Sequence, residues 1–306
     1  MIARAALVAS LLLAIGCGQN DAAPPVVADG TFPEVLYVVH QEVRSIRLDG
    51  TNERSLGRVG DDKHRTGSPR WLPDGRAAVL ADDTGGIYPF VASHDGVTWT
   101  PVGHINVTLN DALCGVALDG EPRLIYTLTP FLPTNTTLRR ADLESGEIDS
   151  LNTMRNGVIQ DPAPYDDGRV VAIRATSTRT TIEIFDVSGP ANHGGPTEVL
   201  ATIDAPYYAM WPARMTDGRV AFVHVDSRDP VDDLPSGEIW YIGLGGELVP
   251  TGLTGVQALV AAGDKIVYER ISTTGMTDLM STSLDGLESA NVTNTPYVNE
   301  HLTWSD

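Results

Sequence analysis

The chain has 306 residues, 42% of them hydrophobic, with 40 Asp and Glu against 21 Lys and Arg and a formal charge of −19. Such a field repels nucleic acid and anionic membrane surfaces, so neither is expected as a partner; it favours solubility and permits a bound divalent cation, although no cofactor is called for. The two cysteines, Cys17 and Cys114, exclude a disulfide framework and a thiolate metal site.

Residues 1–16 are not expected to join the fold. Arg4 supplies a short positive region, and Ala5 to Ile15 form an apolar run too short to span a bilayer as a permanent helix. The run closes on Leu13-Ala14-Ile15-Gly16-Cys17, which resembles a bacterial lipobox. The resemblance implies a lipoprotein signal peptide over residues 1–16, cleavage after Gly16 and lipid on Cys17. Gly18 after the cysteine resembles the pattern sorted to an outer membrane, periplasmic or surface-facing. Gln19-Asn20-Asp21-Ala22-Ala23-Pro24-Pro25 has no apolar periodicity, so residues 17–32 read as the lipidated cysteine and a flexible tether.

From residue 33 to 306 the chain reads as strands. Glu34-Val35-Leu36-Tyr37-Val38-Val39 is a short apolar run, followed by the turn signal Leu48-Asp49-Gly50. Next comes Ser68-Pro69-Arg70-Trp71-Leu72-Pro73-Asp74-Gly75-Arg76 with the run Ala77-Ala78-Val79-Leu80 behind it. The motif recurs as Leu118-Asp119-Gly120, as Pro164-Tyr165-Asp166-Asp167-Gly168-Arg169, as Trp211-Pro212-Ala213-Arg214-Met215-Thr216-Asp217-Gly218-Arg219 and as Gly263-Asp264-Lys265. A half copy, Leu302-Thr303-Trp304-Ser305-Asp306, ends the chain. The anchoring Asp positions are separated by about 45, 48, 50, 47 and 42 residues, the period of propeller blades.

Asp-Gly between apolar runs is a hairpin signal, because a type I′ turn needs positive φ at both central residues. Each copy therefore predicts strand, tight turn, strand. A second hairpin series lies between the copies, at Asp49-Gly50, Asp95-Gly96, Ser145-Gly146, Ser188-Gly189, Gly245-Gly246 and Asp285-Gly286. Two hairpins per period make four antiparallel strands, one blade. The expected fold is an all-β, six-bladed β-propeller. Its first blade, over about residues 33–60, lacks an innermost strand, and the C-terminal strand, about residues 299–306, pairs with it to close the ring and hide both sheet edges. The copy at Ser68–Arg76 resembles the repeat of TolB-type six-bladed propellers, and the resemblance extends over about residues 33 to 306. The copies are degenerate: Thr216 and Asp166 stand where that family has Pro, and Arg214 and Pro164 where it often has Trp.

In a propeller the innermost strands start on one face, around a mouth. The starts expected from the repeat phase are His64-Arg65, Asn110-Asp111, Gln160-Asp161, Tyr207-Tyr208, Val256-Gln257 and Glu300-His301. Convergent polar and aromatic groups around a concave mouth are a binding-site hypothesis. The two adjacent tyrosines are expected to send one ring inward and the other toward the mouth. A partner of the mouth is expected to be an envelope protein or peptide, bound by a monomer. The alternative is a lyase or hydrolase acting on a carbohydrate or peptide through His64, Asp111, Gln160 and His301, with a metal at the mouth. A weaker set of oxygen ligands is Asp229, Asp232 and Asp233, whose spacing lacks the Asp-x-Asp-x-Asp-Gly pattern of a calcium loop. No nucleophile elbow, phosphate loop or dinucleotide fingerprint is present, and no catalytic residue is assigned.

Overall fold

The structure is a computed structural model that describes residues 34–39, 41–59, 66–83, 86–93, 98–102, 113–128, 135–155, 157–166, 168–191, 196–226, 236–271, 277–285 and 289–293. The signal peptide, Cys17, the tether and the closing strand 299–306 lie outside these residues. The described residues are strands and turns, without a helix.

Strands β1 (Glu34–Val39), β2 (Glu42–Arg47) and β3 (Arg54–Arg58) form a three-stranded antiparallel sheet. A four-stranded sheet follows, with β4 (Thr66–Trp71), β5 (Ala77–Asp83), β6 (Gly86–Ala92) and β7 (Trp99–Pro101) in chain order. The next two sheets repeat that order. They are β8 (Leu113–Leu118), β9 (Glu121–Leu128), β10 (Asn135–Asp142) and β11 (Ile148–Arg155), then β12 (Val158–Asp166), β13 (Arg169–Ala175), β14 (Arg179–Asp186) and β15 (Pro196–Asp204). The last sheet has seven strands: β16 (Tyr207–Arg214), β17 (Val220–Asp226), β18 (Gly237–Ile242), β19 (Leu248–Ala262), β20 (Lys265–Ile271), β21 (Thr277–Thr282) and β22 (Ala290–Asn291).

Two four-strand units share β19. Its first part, Leu248 to Val256, pairs with β18, and its second part, Val256 to Ala262, pairs with β20. A register shift at Val256/Ala258 marks the change of partner. One strand thus serves as the outer edge of one unit and the inner strand of the next.

Burial follows strand position. The second strands are apolar without alternation and buried on both faces: Ala77 to Ala81, Val170 to Ile173, Val220 to Val223 and Ile266 to Tyr268 are each at most 2% exposed. Outer strand β15 is mostly exposed. Strand β1 has the burial of a second strand, and its side chains divide. Val35, Tyr37 and Val39 share a core cluster with Leu259, Ile266 and Tyr268 of the last sheet. Leu36 shares another with Ala77, Val79 and Phe90 of the second sheet. The first sheet therefore packs against both the second and the last.

The hairpins differ from expectation in one respect. Among the Asp-Gly pairs whose two residues are both described, only Asp119-Gly120 has both at positive φ, 53° and 81°. At Asp74-Gly75 and Asp217-Gly218 only the glycine is positive, at 82° and 95°. There Gly75 N–H donates to Leu72 O and Gly218 N–H to Met215 O, so the turn is type I with the glycine as a left-handed bulge. Pro73 and Thr216 sit at the first central position, where φ is negative, and Pro cannot take the positive φ of a type I′ turn. The aspartate instead locks the turn: Asp74 Oδ1 accepts the Arg76 N–H at 3.1 Å and Oδ2 accepts Arg76 Nε at 2.6 Å. Asp217 and Arg219 repeat both bonds at 3.0 and 2.6 Å.

Candidate functional site

Three innermost strands carry the same irregularity. Ser68-Pro69 in β4 stands opposite Val79 alone, Asp161-Pro162 in β12 opposite Ala172, and Trp211-Pro212 in β16 opposite Phe222. Each is a β-bulge with proline in second place. The bulge removes a ladder bond, so a residue without an N–H is tolerated there. Asp161 and Trp211 lie at positive φ, 51° and 49°. Asp adopts that region with modest strain, whereas for a residue as bulky as Trp it is an outlier that its surroundings must enforce. The enforcing contact is between sheets: the Trp211 N–H donates to Asp161 Oδ2 at 3.1 Å.

The bulges aim the strands at a common cavity of about 310 Å³. It is lined from β1 by Glu34 to Leu36, from β4 by Pro69 to Trp71, and from β12 by Asp161 to Pro164. Strand β16 adds Trp211 to Arg214, and β19 with its turn adds Leu259 to Gly263. Four of the five sheets contribute. The lining includes four prolines, Leu259, Trp71 and Trp211, with Glu34, Arg70, Asp161 and Arg214 as its charged residues.

Those polar groups are unequally satisfied. Glu34 is engaged away from the cavity, by Arg54 at 2.6 Å and Asn52 at 2.9 Å. Asp161 accepts the Trp211 amide. Burial raises its pKa to about 6, against the opposing pull of that N–H and of the Arg70 charge. Arg70 donates to Pro69 O at 2.9 Å, and no carboxylate among the described residues lies within ion-pair distance of it. Burial pulls the Arg70 pKa below its ordinary value, while Cys114, Asp161 and Glu269 act the other way. Arg214 stacks over Tyr165, 4.8 Å from the ring centroid, and its buried Nε has no hydrogen-bond partner. Trp71 Nε1 is likewise buried without a partner. Each buried unsatisfied donor costs about 1–3 kcal/mol, so the unmet demand here is for acceptors.

The residues expected at the mouth separate. His64, Arg65, Asn110, Asp111, Glu300 and His301 lie outside the described residues, as do the candidate cation ligands Asp229, Asp232 and Asp233. Gln160, Tyr207 and Tyr208 line one groove, with Arg179 and Met210. Tyr207 is 38% exposed and stacks on His224, which stacks on Trp240, with ring centroids 4.9 and 4.4 Å apart. Tyr208 is half-buried against the core cluster of the last sheet. Asp161 lines the internal cavity. Gln257 is 3% exposed, and neither of its amide atoms has a hydrogen-bond partner. It is the extra residue where β19 changes partner, which turns it into the protein. Arg70, Trp71 and Arg214 were not among the expected site residues. The signal that marks them is the X-Pro pair at constant repeat phase just before them.

Cys114 is fully buried beside the cavity, and burial pushes its thiol up to about 12. Such a thiol is inert. Among the described residues no three His, Cys, Asp or Glu side chains gather as a metal site.

No protein-family model matches the chain, and a search of curated proteins finds no match. Solved structures do match. TolB from Acinetobacter baumannii superposes with a TM-score of 0.66 at 15% identity, over 84% of this chain and 63% of that one. A putative TolB from Agrobacterium tumefaciens gives 0.54 at 18%, over 71% and 76%. A puromycin-hydrolyzing peptidase of Mycobacterium tuberculosis gives 0.56 at 13%, over 90% and 45%. The chain thus spans less than two thirds of the Acinetobacter protein and under half of the peptidase. These likenesses establish a TolB-like β-propeller fold for the all-β chain.

Proposed function

We propose that this protein is a lipid-anchored, six-bladed propeller of the bacterial cell envelope, acting as a monomeric, non-enzymatic module that binds a protein or peptide. The observation that supports the reading is the cavity whose lining includes Trp71, Trp211, Arg70 and Arg214, from strands distant in sequence. Trp and Arg are the residues that most often dominate binding energy, because they bury large area and keep a polar handle. The six-blade count rests on four-strand units with β19 shared between the last two, and on β1 having the burial of a second strand. Residues 299–306 would then supply the missing innermost strand beside β1. The anchor rests on Gly16-Cys17, with lipid on Cys17 holding the propeller to the outer membrane and residues 18–32 as its tether.

Capture from a solubilised envelope extract tests the binding role. Immobilised wild-type protein is expected to retain a discrete partner, and Trp211→Ala to reduce its recovery more than tenfold, or roughly 1.4 kcal/mol. Equal recovery by both proteins overturns the reading. Cell fractionation tests the anchor: wild type belongs in the membrane fraction and Cys17→Ser in the soluble one or uncleaved. Wild type in the soluble fraction without detergent refutes lipidation.

A further inference from the structure

We propose that the groove between the fourth sheet, β12 to β15, and the last sheet is a sugar-binding site, in which a neutral pyranose ring stacks on Tyr207 and is held at its edge by the Gln160 amide. The groove shares no lining residue with the cavity assigned to the protein or peptide, so the site is separate from that reading and goes beyond it.

Strand register brings the two residues to one place. Ile173 and Ile182 of the fourth sheet share a core cluster with Ala209 and Phe222 of the last. Gln160 stands opposite Ile173, and Ala175, two positions along β13, stands opposite Thr180. Residues directly opposite share a face, and so do alternate residues along a strand. Gln160, Ala175 and Thr180 therefore project toward the last sheet. From the other side Tyr207 shares the face of Ala209, two positions along β16. All five line one groove of about 390 Å³, within the size range of small-ligand sites.

The Tyr207 ring is a fixed platform. It stacks on His224 at 4.9 Å and 26°, and His224 stacks on Trp240 at 4.4 Å and 20°. Trp240 Nε1 donates to Glu238 Oε2 at 3.0 Å, which anchors the far end of the row. The groove is lined by Tyr207 but by neither His224 nor Trp240, so it meets the ring on the side that His224 leaves uncovered.

A sugar ring answers these features. Its weakly positive C–H face fits the negative face of an aromatic ring. Its hydroxyls both donate and accept. The Gln160 amide offers two N–H donors and an acceptor oxygen, and no hydrogen bond among the described residues occupies them. A row that is already stacked loses little freedom on binding. A phenyl ring would match the platform but leave the amide unanswered. Arg179 is the charged residue of the lining, and it stands opposite Asp204 in the register of β14 and β15. These two charges offset one another locally and the chain carries −19, which favours a neutral sugar over an acidic one.

The test uses the full chain purified in detergent and immobilised. The probes passed over it are the neutral trisaccharides of glucose, galactose and N-acetylglucosamine, the trisaccharide of galacturonic acid, and N-acetylphenylalaninamide. Retained material is quantified by mass spectrometry. The expected result is retention of at least one neutral trisaccharide, with the acidic one retained roughly tenfold less or weaker still. Tyr207→Leu and Gln160→Ala are each expected to lose retention by roughly tenfold or more. Tyr207→Phe is expected to stay within about threefold of wild type, because the ring face remains. Melting curves of all variants separate loss of binding from loss of fold. Tyr207 is 38% exposed, so its two variants keep the test decisive where Gln160→Ala unfolds. Retention of N-acetylphenylalaninamide without any neutral sugar assigns the groove to peptide side chains and overturns the proposal. Retention of the acidic trisaccharide alone overturns it too, as does failure to retain any probe or wild-type retention by folded Tyr207→Leu.

Discussion

The backbone N–H of Trp211 donates to Asp161 Oδ2 across 3.1 Å, joining two left-handed residues that lie in different sheets. Each would be strained alone, at about 1–3 kcal/mol. Together they fix two bulges relative to one another and so set the width of the cavity between β12 and β16. Asp161→Ala removes the acceptor and leaves the Trp211 amide buried and unmet. Urea denaturation is expected to show a loss of about 1–3 kcal/mol, whereas Asp161→Asn keeps an acceptor and loses much less.

The same carboxyl makes stability pH-dependent. Its folded pKa of about 6 lies above its ordinary value of 3.8, so the folded chain holds the proton more tightly. Between these values the folded state is protonated while the unfolded state is ionised. The group's contribution therefore falls as pH rises from about 4 to 6, and the loss is complete above 6, on the order of 1–3 kcal/mol. Asp161→Asn is expected to remove this component. Denaturation midpoints of both proteins at pH 4.5 and 7.5 check it; parallel behaviour of the two would mean that Asp161 ionises normally.

Trp71 packs against the core cluster that Leu36, Val43 and Leu56 of the first sheet share with Val79 and Phe90 of the second. Trp71→Ala opens that junction and is expected to cost about 3–5 kcal/mol by chemical denaturation. A loss below about 1 kcal/mol would show that the junction carries little of the fold's stability.

At Gly115 in β8, an added Cβ would stand 2.7 Å from Leu72 Cδ2 and 3.0 Å from Leu72 Cα. The second contact is with backbone, which cannot yield as a side-chain tip does. Gly115→Ala is expected to destabilise by about 1–3 kcal/mol and to leave ligand retention by the folded fraction unchanged. Gly218→Ala, at φ 95° in the Asp217 turn, is expected to cost about 1–2 kcal/mol with the same separation of stability from binding. Thermal melts and retention assays on the same samples distinguish these outcomes.

The Cys114 thiol, buried and raised to about 12, is expected to resist iodoacetamide in the native protein and to react fully in urea. Intact-mass measurement of the native, alkylated protein reads this directly. Rapid modification without denaturant would show that the region around β8 opens.

Much of the fold could be read along the chain. The Asp-Gly hairpins, the apolar runs of the second strands and the blade period are local patterns, because turn geometry and strand burial depend on a few neighbouring residues. The turn type was less accessible: Pro73 and Asp74 favour type I with a glycine bulge, where Asp-Gly alone suggests type I′. Of the candidate site, the local reading placed Gln160, Tyr207 and Tyr208 at strand starts around a mouth, since strand starts follow from the repeat phase; that the three share one groove came from the structure. The local reading placed Gln257 at the same level, although the partner change of β19 buries that residue.

By itself the sequence determined the repeat, the antiparallel hairpins and the positions of the X-Pro pairs that become bulges, but not the seven-stranded sheet that β19 joins. Only the tertiary structure decided that the strands carrying Arg70, Trp71, Asp161, Trp211 and Arg214 border one cavity. A bulge inserts one extra residue and resets which side chains point to which face, so period-two alternation no longer predicts direction beyond it. The partners of those side chains lie about one to three blades away along the chain. No local pattern encodes a contact such as Asp161 with Trp211, which exists only once the sheets are packed around their common axis.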